Sequence, residues 1–231
     1  MALTSFRPNK YRDWARSNAK AWYGLNLAGF ASVACWWLTL TFSSPSHAST
    51  LRRLSIEELV SYSDSIIVGR CEKTEAVWLG KRIYTIATVR VRQAAKGPHA
   101  PGNVIQVHIL GGSVTQPLPV KMLVPGAETM TAGEEMLLFL EKFGDKRQFY
   151  RVVGMAQGKL SVSTDRKTGQ KSVGFRLPIK GVKWVDHDGK VVEPGAEGAH
   201  EEAAEAGSLD GFLGRIHKIK VEQETRNGGA K

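Results

Sequence analysis

In Arg82-Ile83-Tyr84-Thr85-Ile86-Ala87-Thr88-Val89-Arg90-Val91-Arg92-Gln93, the residues Ala87, Val89 and Val91 fall on one parity and Thr88, Arg90 and Arg92 on the other. That period of two is the mark of a strand with one face in a core. Upstream, Ser65-Ile66-Ile67-Val68-Gly69-Arg70-Cys71 is rich in β-branched residues and broken by Gly69, which predicts a strand with a bend. Leu79-Gly80-Lys81 turns the chain between the two strands, and Lys96-Gly97-Pro98 ends the second. Downstream, Val104 to Leu110 points Ile105, Val107 and Ile109 inward and Gln106 and His108 outward, and Gly111-Gly112 closes it.

The remaining signals have the same character. Residues 113–131 carry Pro117, Pro119 and Pro125 in a long connection. Met136-Leu137-Leu138-Phe139-Leu140 is short and uniformly apolar, as expected of a strand covered on both faces. Gly144-Asp145-Lys146 predicts a hairpin loop into Gln148–Gly154, followed by strands at Lys159–Val162 and Lys171–Leu177 around a loop at Asp165–Gly169. Gly181 to Val192 reads as a further hairpin turning at Asp188-Gly189. Ser55-Ile56-Glu57-Glu58 is a capping box opening a short helix with Ile56, Leu59 and Val60 on its apolar face, ending near Ser63. After a polar linker, 193–207, Ser208 caps an amphipathic segment with Leu209, Phe212, Leu213, Ile216 and Ile219 at helical spacing. The expected class is all-β, an antiparallel barrel or sandwich with one helix at each end.

Composition bounds the rest. Of 231 residues, 42% are hydrophobic and 23% charged, which fits a folded chain; 24 Gly with 2 Cys excludes both collagen and a disulfide scaffold. Residues 1–48 have the anatomy of an export signal: a basic flank, an uncharged run from Leu25 to Phe42, and small residues at Ser46 and Ala48, which place cleavage between Ala48 and Ser49. An uncleaved single-pass inner-membrane anchor is the alternative, because the uncharged run is long enough to cross a bilayer. After cleavage only Cys71 remains, so no intrachain disulfide is possible, and its hydrophobic setting predicts an inert thiol. The net charge of +10 divides into +4 in the leader, +9 over 49–192 and −3 from residue 193 onward.

Ser63-Asp64-Ser65-Ile66-Ile67-Val68-Gly69-Arg70, Tyr84-Thr85, Val89-Arg90-Val91, Lys96-Gly97 and Val104-Ile105-Gln106-Val107 together resemble the opening of a netrin-like OB-fold barrel, as in tissue inhibitors of metalloproteinases. Gly133 to Leu140 and Tyr150 to Met155 are similar to blocks in uncharacterised exported bacterial proteins. The resemblance implies a five-stranded Greek-key barrel with a small helix. It does not extend to the inhibitors' N-terminal zinc-chelating Cys or to their disulfides, since the mature chain would begin Ser49-Thr50-Leu51.

Chemistry-bearing patterns are sparse. Asp186-His187-Asp188 sits at a hairpin turn, where strand neighbours point to opposite faces, and no C-x-x-C or H-E-x-x-H spacing occurs. His99, His108, His200 and His217 are scattered. There is no G-x-S-x-G, and neither Gly111-Gly112-Ser113 nor Gly169-Gln170-Lys171 is a P-loop. The one candidate face gathers Tyr84, Arg90, Arg92 and the outward His108 beside Lys96, suited to an anionic polymer such as a glycan or to lipid headgroups. The expected function is a non-enzymatic module, periplasmic or extracellular, that contacts an envelope protein or anionic polymer without a cofactor or metal. The alternative is an inhibitor that blocks a secreted protease with the barrel edge and the 113–131 loop. No nucleic-acid partner is expected of an exported chain, and membrane contact is expected only through an uncleaved leader.

Overall fold

The computed structural model describes residues 49–144, 149–175, 182–186, 188–192 and 207–228. The leader with its cleavage residue Ala48, the loop tip 145–148, residues 176–181, His187 and the linker through 206 lie outside the described residues, as does His200. Residues 48–231 make up one compact unit.

The capping box forms as read. The Glu58 N–H donates to Ser55 Oγ at 3.2 Å, the Ser55 N–H donates to Glu58 Oε2 at 3.0 Å, and helix α1 runs Ile56–Tyr62. Two long strands follow, β2 (Ser65–Leu79) and β3 (Arg82–Lys96), joined by the Gly80 turn; β1 (Ser49–Arg52) precedes them. Then come β4 (Val104–Leu110), β5 (Gly112–Val114), β6 (Val120–Met122), β7 (Glu135–Phe143) and β8 (Phe149–Val152). A 3-10 turn at Met155–Gly158 leads to β9 (Lys159–Thr164) and β10 (Lys171–Phe175). The hairpin β11 (Val182–Val185) and β12 (Val191–Val192) and helix α2 (Leu209–Gly228) complete the described chain.

The fold is mainly β, built on a seven-stranded mixed sheet in the order β10-β9-β7-β2-β3-β4-β8. The sheet curls until β8 meets β7 again, giving a near-closed ring of five strands. β7 serves two neighbours on one edge: Met136–Leu138 pair with β9, and Leu140–Phe143 with β8. β2 carries irregularities at Ile66/Ile67, Val68/Gly69 and Cys71/Lys73, which increase its twist and let it bend round the ring. Gly69 is required there, because a Cβ would lie 2.6 Å from Val89 Cγ1.

The expectation of a wholly antiparallel sheet is corrected: β4 meets β8 in parallel at Val107–Tyr150, and β1 pairs in parallel with β11. Alternation and turns report strands joined by hairpins; both parallel contacts join strands remote in sequence, which no local pattern encodes. The 113–131 connection also holds more structure than expected, since β5 and β6 form a two-stranded ribbon.

Two cores share β2 and β7. Inside the ring lie Ile67, Cys71, Ala87, Val89, Val91, Ile105, Val107, Met136, Leu138 and Leu140 among others. On the outer side, Ile66, Val68, Leu137, Phe139, Leu160 and Val173 pack against α1 and α2. Ser208 caps α2 by accepting from the Gly211 N–H at 3.1 Å, and Leu209, Phe212, Leu213, Ile216 and Ile219 are all buried in this second core. Among the described residues no helix is long and apolar enough to cross a membrane. Because α2 is part of a core, Phe212→Ala is expected to lower unfolding free energy by about 3–5 kcal/mol in urea titrations. Val221→Ala, on the exposed side of the same helix, is expected to change it by less than about 0.5 kcal/mol.

Candidate functional site

The structure separates the residues of the predicted basic face. Tyr84 and Arg90 do share the outward parity of β3, but six residues of strand put them about 20 Å apart. Arg90 is engaged by Glu72 through Nε at 2.5 Å and Nη2 at 3.1 Å, and its Nη1 donates to the Gly102 carbonyl. Arg92 is exposed beyond the end of the β3–β4 ladder, and Lys96 donates to the Val60 carbonyl at 2.8 Å.

His108 is not solvent-facing. It has the outward parity expected of it, opposite Ile86, yet is only 4% exposed. Phe149 covers it at 4.5 Å between ring centroids, with Phe143 at 5.7 Å and Tyr84 at 6.4 Å. The parallel docking of β8 beside β4 brings Phe149 there, so period-two alternation alone could not reveal the cover. Neither His108 ring nitrogen has a hydrogen-bond partner, and burial holds its pKa below the ordinary histidine value. His99 stacks edge-on against Tyr150 at 5.1 Å with its Nε2 unpartnered, and burial, then Lys142, lowers its pKa too.

The connection between β6 and β7 holds a further buried polar group. Glu128 is 7% exposed, and burial pushes its carboxyl up to about 7 despite Lys159 nearby. Lys159 is itself bound to Glu134 at 2.7 Å and donates to the Thr129 carbonyl. Cys71 is fully buried; its Sγ lies 3.6 Å from the Lys73 carbonyl, and burial and then the Glu134 charge push the thiol up, which keeps it protonated and unreactive. Among the described residues no three His, Cys, Asp or Glu side chains converge on a point that would hold a metal.

What the structure does bring together is two hairpins, the outer part of β2 and β3 and the β5–β6 ribbon, both of which carry exposed apolar side chains. Beyond Arg70 the β2–β7 pairing stops, and the hairpin continues as an arm with Trp78 opposite Ile83 and Leu79 opposite Arg82. The β5–β6 ribbon lies against this arm. Gly112, at φ 144°, is the point of contact, since a Cβ there would meet Thr85 Oγ1 at 2.5 Å and Ala76 Cβ at 3.1 Å. The Gly111 N–H donates to the Ile83 carbonyl at 2.8 Å, and Thr85 Oγ1 donates to the Gly111 carbonyl at 2.8 Å. Trp78 is 43% and Leu79 42% exposed on the arm; Leu118, at 69%, Val120 and Leu123, at 75%, are exposed on or beside the ribbon. These five are more than half of the nine large hydrophobic residues exposed among the described residues. Sequence reading missed them because Leu118 and Leu123 stand in a proline-rich connection without periodicity.

No protein-family model matches the chain, and no curated protein matches it in sequence.

The buried histidines and Glu128 titrate in opposite senses. Burial disfavours the charged form of His108 in the fold, so its stabilising share is complete above its ordinary value of 6.5 and is lost as pH falls below it. Glu128, raised from 4.5 to about 7, contributes fully below 4.5 and loses that contribution as pH rises through about 7. His108→Phe is therefore expected to stabilise the fold more at pH 5 than at pH 8, by about 1–2 kcal/mol at the lower pH. Glu128→Gln should stabilise it more at pH 8 than at pH 5, on the order of 2 kcal/mol at the higher pH. Urea midpoints at the two pH values check both signs.

Proposed function

We propose that the chain is an exported, non-enzymatic binding module that presents the outer end of its β2–β3 arm and the β5–β6 ribbon to a component of the cell envelope. The observation that carries this reading is that two hairpins in contact with each other carry five exposed apolar side chains: Trp78 and Leu79 on the arm, and Leu118, Val120 and Leu123 on or beside the ribbon. A soluble domain seldom keeps so many large apolar side chains together in water without a partner for them. The predicted face of Tyr84, Arg90, Arg92 and His108 gives way to this end, because its members are spread along β3 or already engaged.

The finer reading of the fold is an OB-like Greek-key barrel made of β2, β3, β4, β8 and β7. It is supported by the ring order, by the parallel closing contact of β4 with β8, and by an interior filled with side chains alone. In such barrels the loops at the mouth and the adjacent sheet face hold the ligand. The immobilised 48–231 chain is expected to retain an envelope component from a cell extract, and Trp78→Ser with Leu118→Ser should abolish that retention while leaving the urea midpoint within about 0.5 kcal/mol. Retention unaffected by the double variant would place the contact elsewhere.

A second reading, inhibition of a secreted protease, is favoured by the unbroken exposure of Thr115–Lys121, which an active-site cleft could accept. Recovery of a protease in the same experiment, with inhibition on titration, would select it. Export itself is tested by fractionating cells that make the full chain: the expected product is outside the cytosol with Ser49 as its first residue by mass spectrometry, and an intact chain in the cytosol overturns it.

A further inference from the structure

The charge around the apolar end names a chemistry for its partner. From Ala76 to Ala127 the sequence contains no Asp or Glu, while it holds Lys81, Arg82, Arg90, Arg92, Lys96 and Lys121. Arg90 is neutralised by Glu72, and Lys96 is turned inward to the Val60 carbonyl. Glu75, the last acid before the tip of the arm, is held by Lys73 at 2.6 Å. Lys81 and Arg82 on the turn and Lys121 on β6 are exposed, with no ion-pair partner among the described residues. Three of these bases are interleaved with the exposed apolar residues, in Trp78-Leu79-Gly80-Lys81-Arg82 on one hairpin and Val120-Lys121-Met122-Leu123 on the other, while the exposed Arg92 lies toward the opposite end of β3.

We infer that this end docks on an anionic lipid surface. This rests on the reading of the end as a contact surface and names its ligand. A bilayer headgroup layer accepts apolar side chains below and basic groups at the level of the phosphates, with Lys and Arg stems extending upward past the buried part. A Trp indole suits that boundary, because its ring is apolar and its N–H remains in reach of polar groups. Trp78 and Leu79 point to opposite faces of the arm, and Leu118 is set between Pro117 and Pro119 on a separate hairpin. A laterally continuous, deformable partner contacts all of them at once, whereas a single rigid groove would have to match two hairpin ends and both faces of one. Each base near such a surface adds about a fivefold gain in partitioning at moderate salt.

The test uses the 48–231 unit and lipid vesicles of phosphatidylcholine with and without phosphatidylglycerol. The chain is expected to sediment with the phosphatidylglycerol vesicles and to show a blue shift in Trp emission; Trp184 is buried, so the shift reports Trp78. Lys81→Gln with Arg82→Gln and Lys121→Gln should weaken partitioning on the order of a hundredfold. Leu118→Ser with Leu123→Ser should weaken it about tenfold or more. All five positions are exposed, and unchanged urea midpoints establish that the variants fold. Failure of the parent chain to bind phosphatidylglycerol vesicles, or equal binding by the charge variant, overturns the inference. If the parent fails on lipid alone but is retained by an envelope extract through the same residues, a protein or polymer is the partner: the lipid inference falls and the contact surface stands. If the substitutions leave retention by the extract intact, both fall.

Discussion

Five consecutive side chains, Met136 to Leu140, are buried completely, and they divide between two cores by parity. Met136, Leu138 and Leu140 close the ring from within, while Leu137 and Phe139 face the two helices. The rest of the structure depends on this strand because, among the described strands, it alone pairs with β2, β8 and β9 together. It seals the ring, extends the sheet toward β10 and supplies the floor on which α1 and α2 rest. With Cys71 the only thiol between Ser49 and Lys231, that dual burial holds the unit together without an intrachain disulfide.

The parts of this arrangement that are legible in the sequence are those set by neighbours along the chain. The Ser55–Glu58 box, the Gly80 turn, the alternation of Ala87, Val89 and Val91, the uniform burial of 136–140 and the apolar stripe of α2 all follow from spacing and local chemistry, and each is present. What was not legible depends on contacts between remote segments. The parallel joins of β4 with β8 and β1 with β11 have no turn to announce them. Gln157, on the 3-10 turn, accepts from the Leu54 N–H at 2.8 Å and donates to the Arg52 carbonyl at 3.0 Å. That clasp ties β1 to the sheet, and nothing in the pattern around Gln157 marks it. For the same reason, parity gave the side on which Tyr84, Arg90 and His108 lie, but not what covers or pairs with them.

The buried polar groups show a related compromise. His108 keeps both ring nitrogens without partners, which costs free energy that its contacts with Phe149 and Phe143 help to offset. Glu128 carries the opposite liability, a carboxyl whose charge is resisted by burial. As pH falls below about 7, stability is gained at Glu128 and lost at His108, so the two contributions oppose each other.

The arm raises the question of why β2 and β3 continue beyond the ring at all. Past Arg70, β2 is without β7, and the strands are held by each other, by β4 and by the β5–β6 ribbon. Guarding this exposed end against aggregation would require charge, and Lys81 and Arg82 supply it. The same need would disfavour Trp78, Leu79, Leu118 and Leu123 there, because exposed apolar residues at a hairpin end invite the pairing that charges prevent. The large apolar groups interleaved with those bases serve neither solubility nor the core. They suit a surface that is apolar in depth and anionic at its edge.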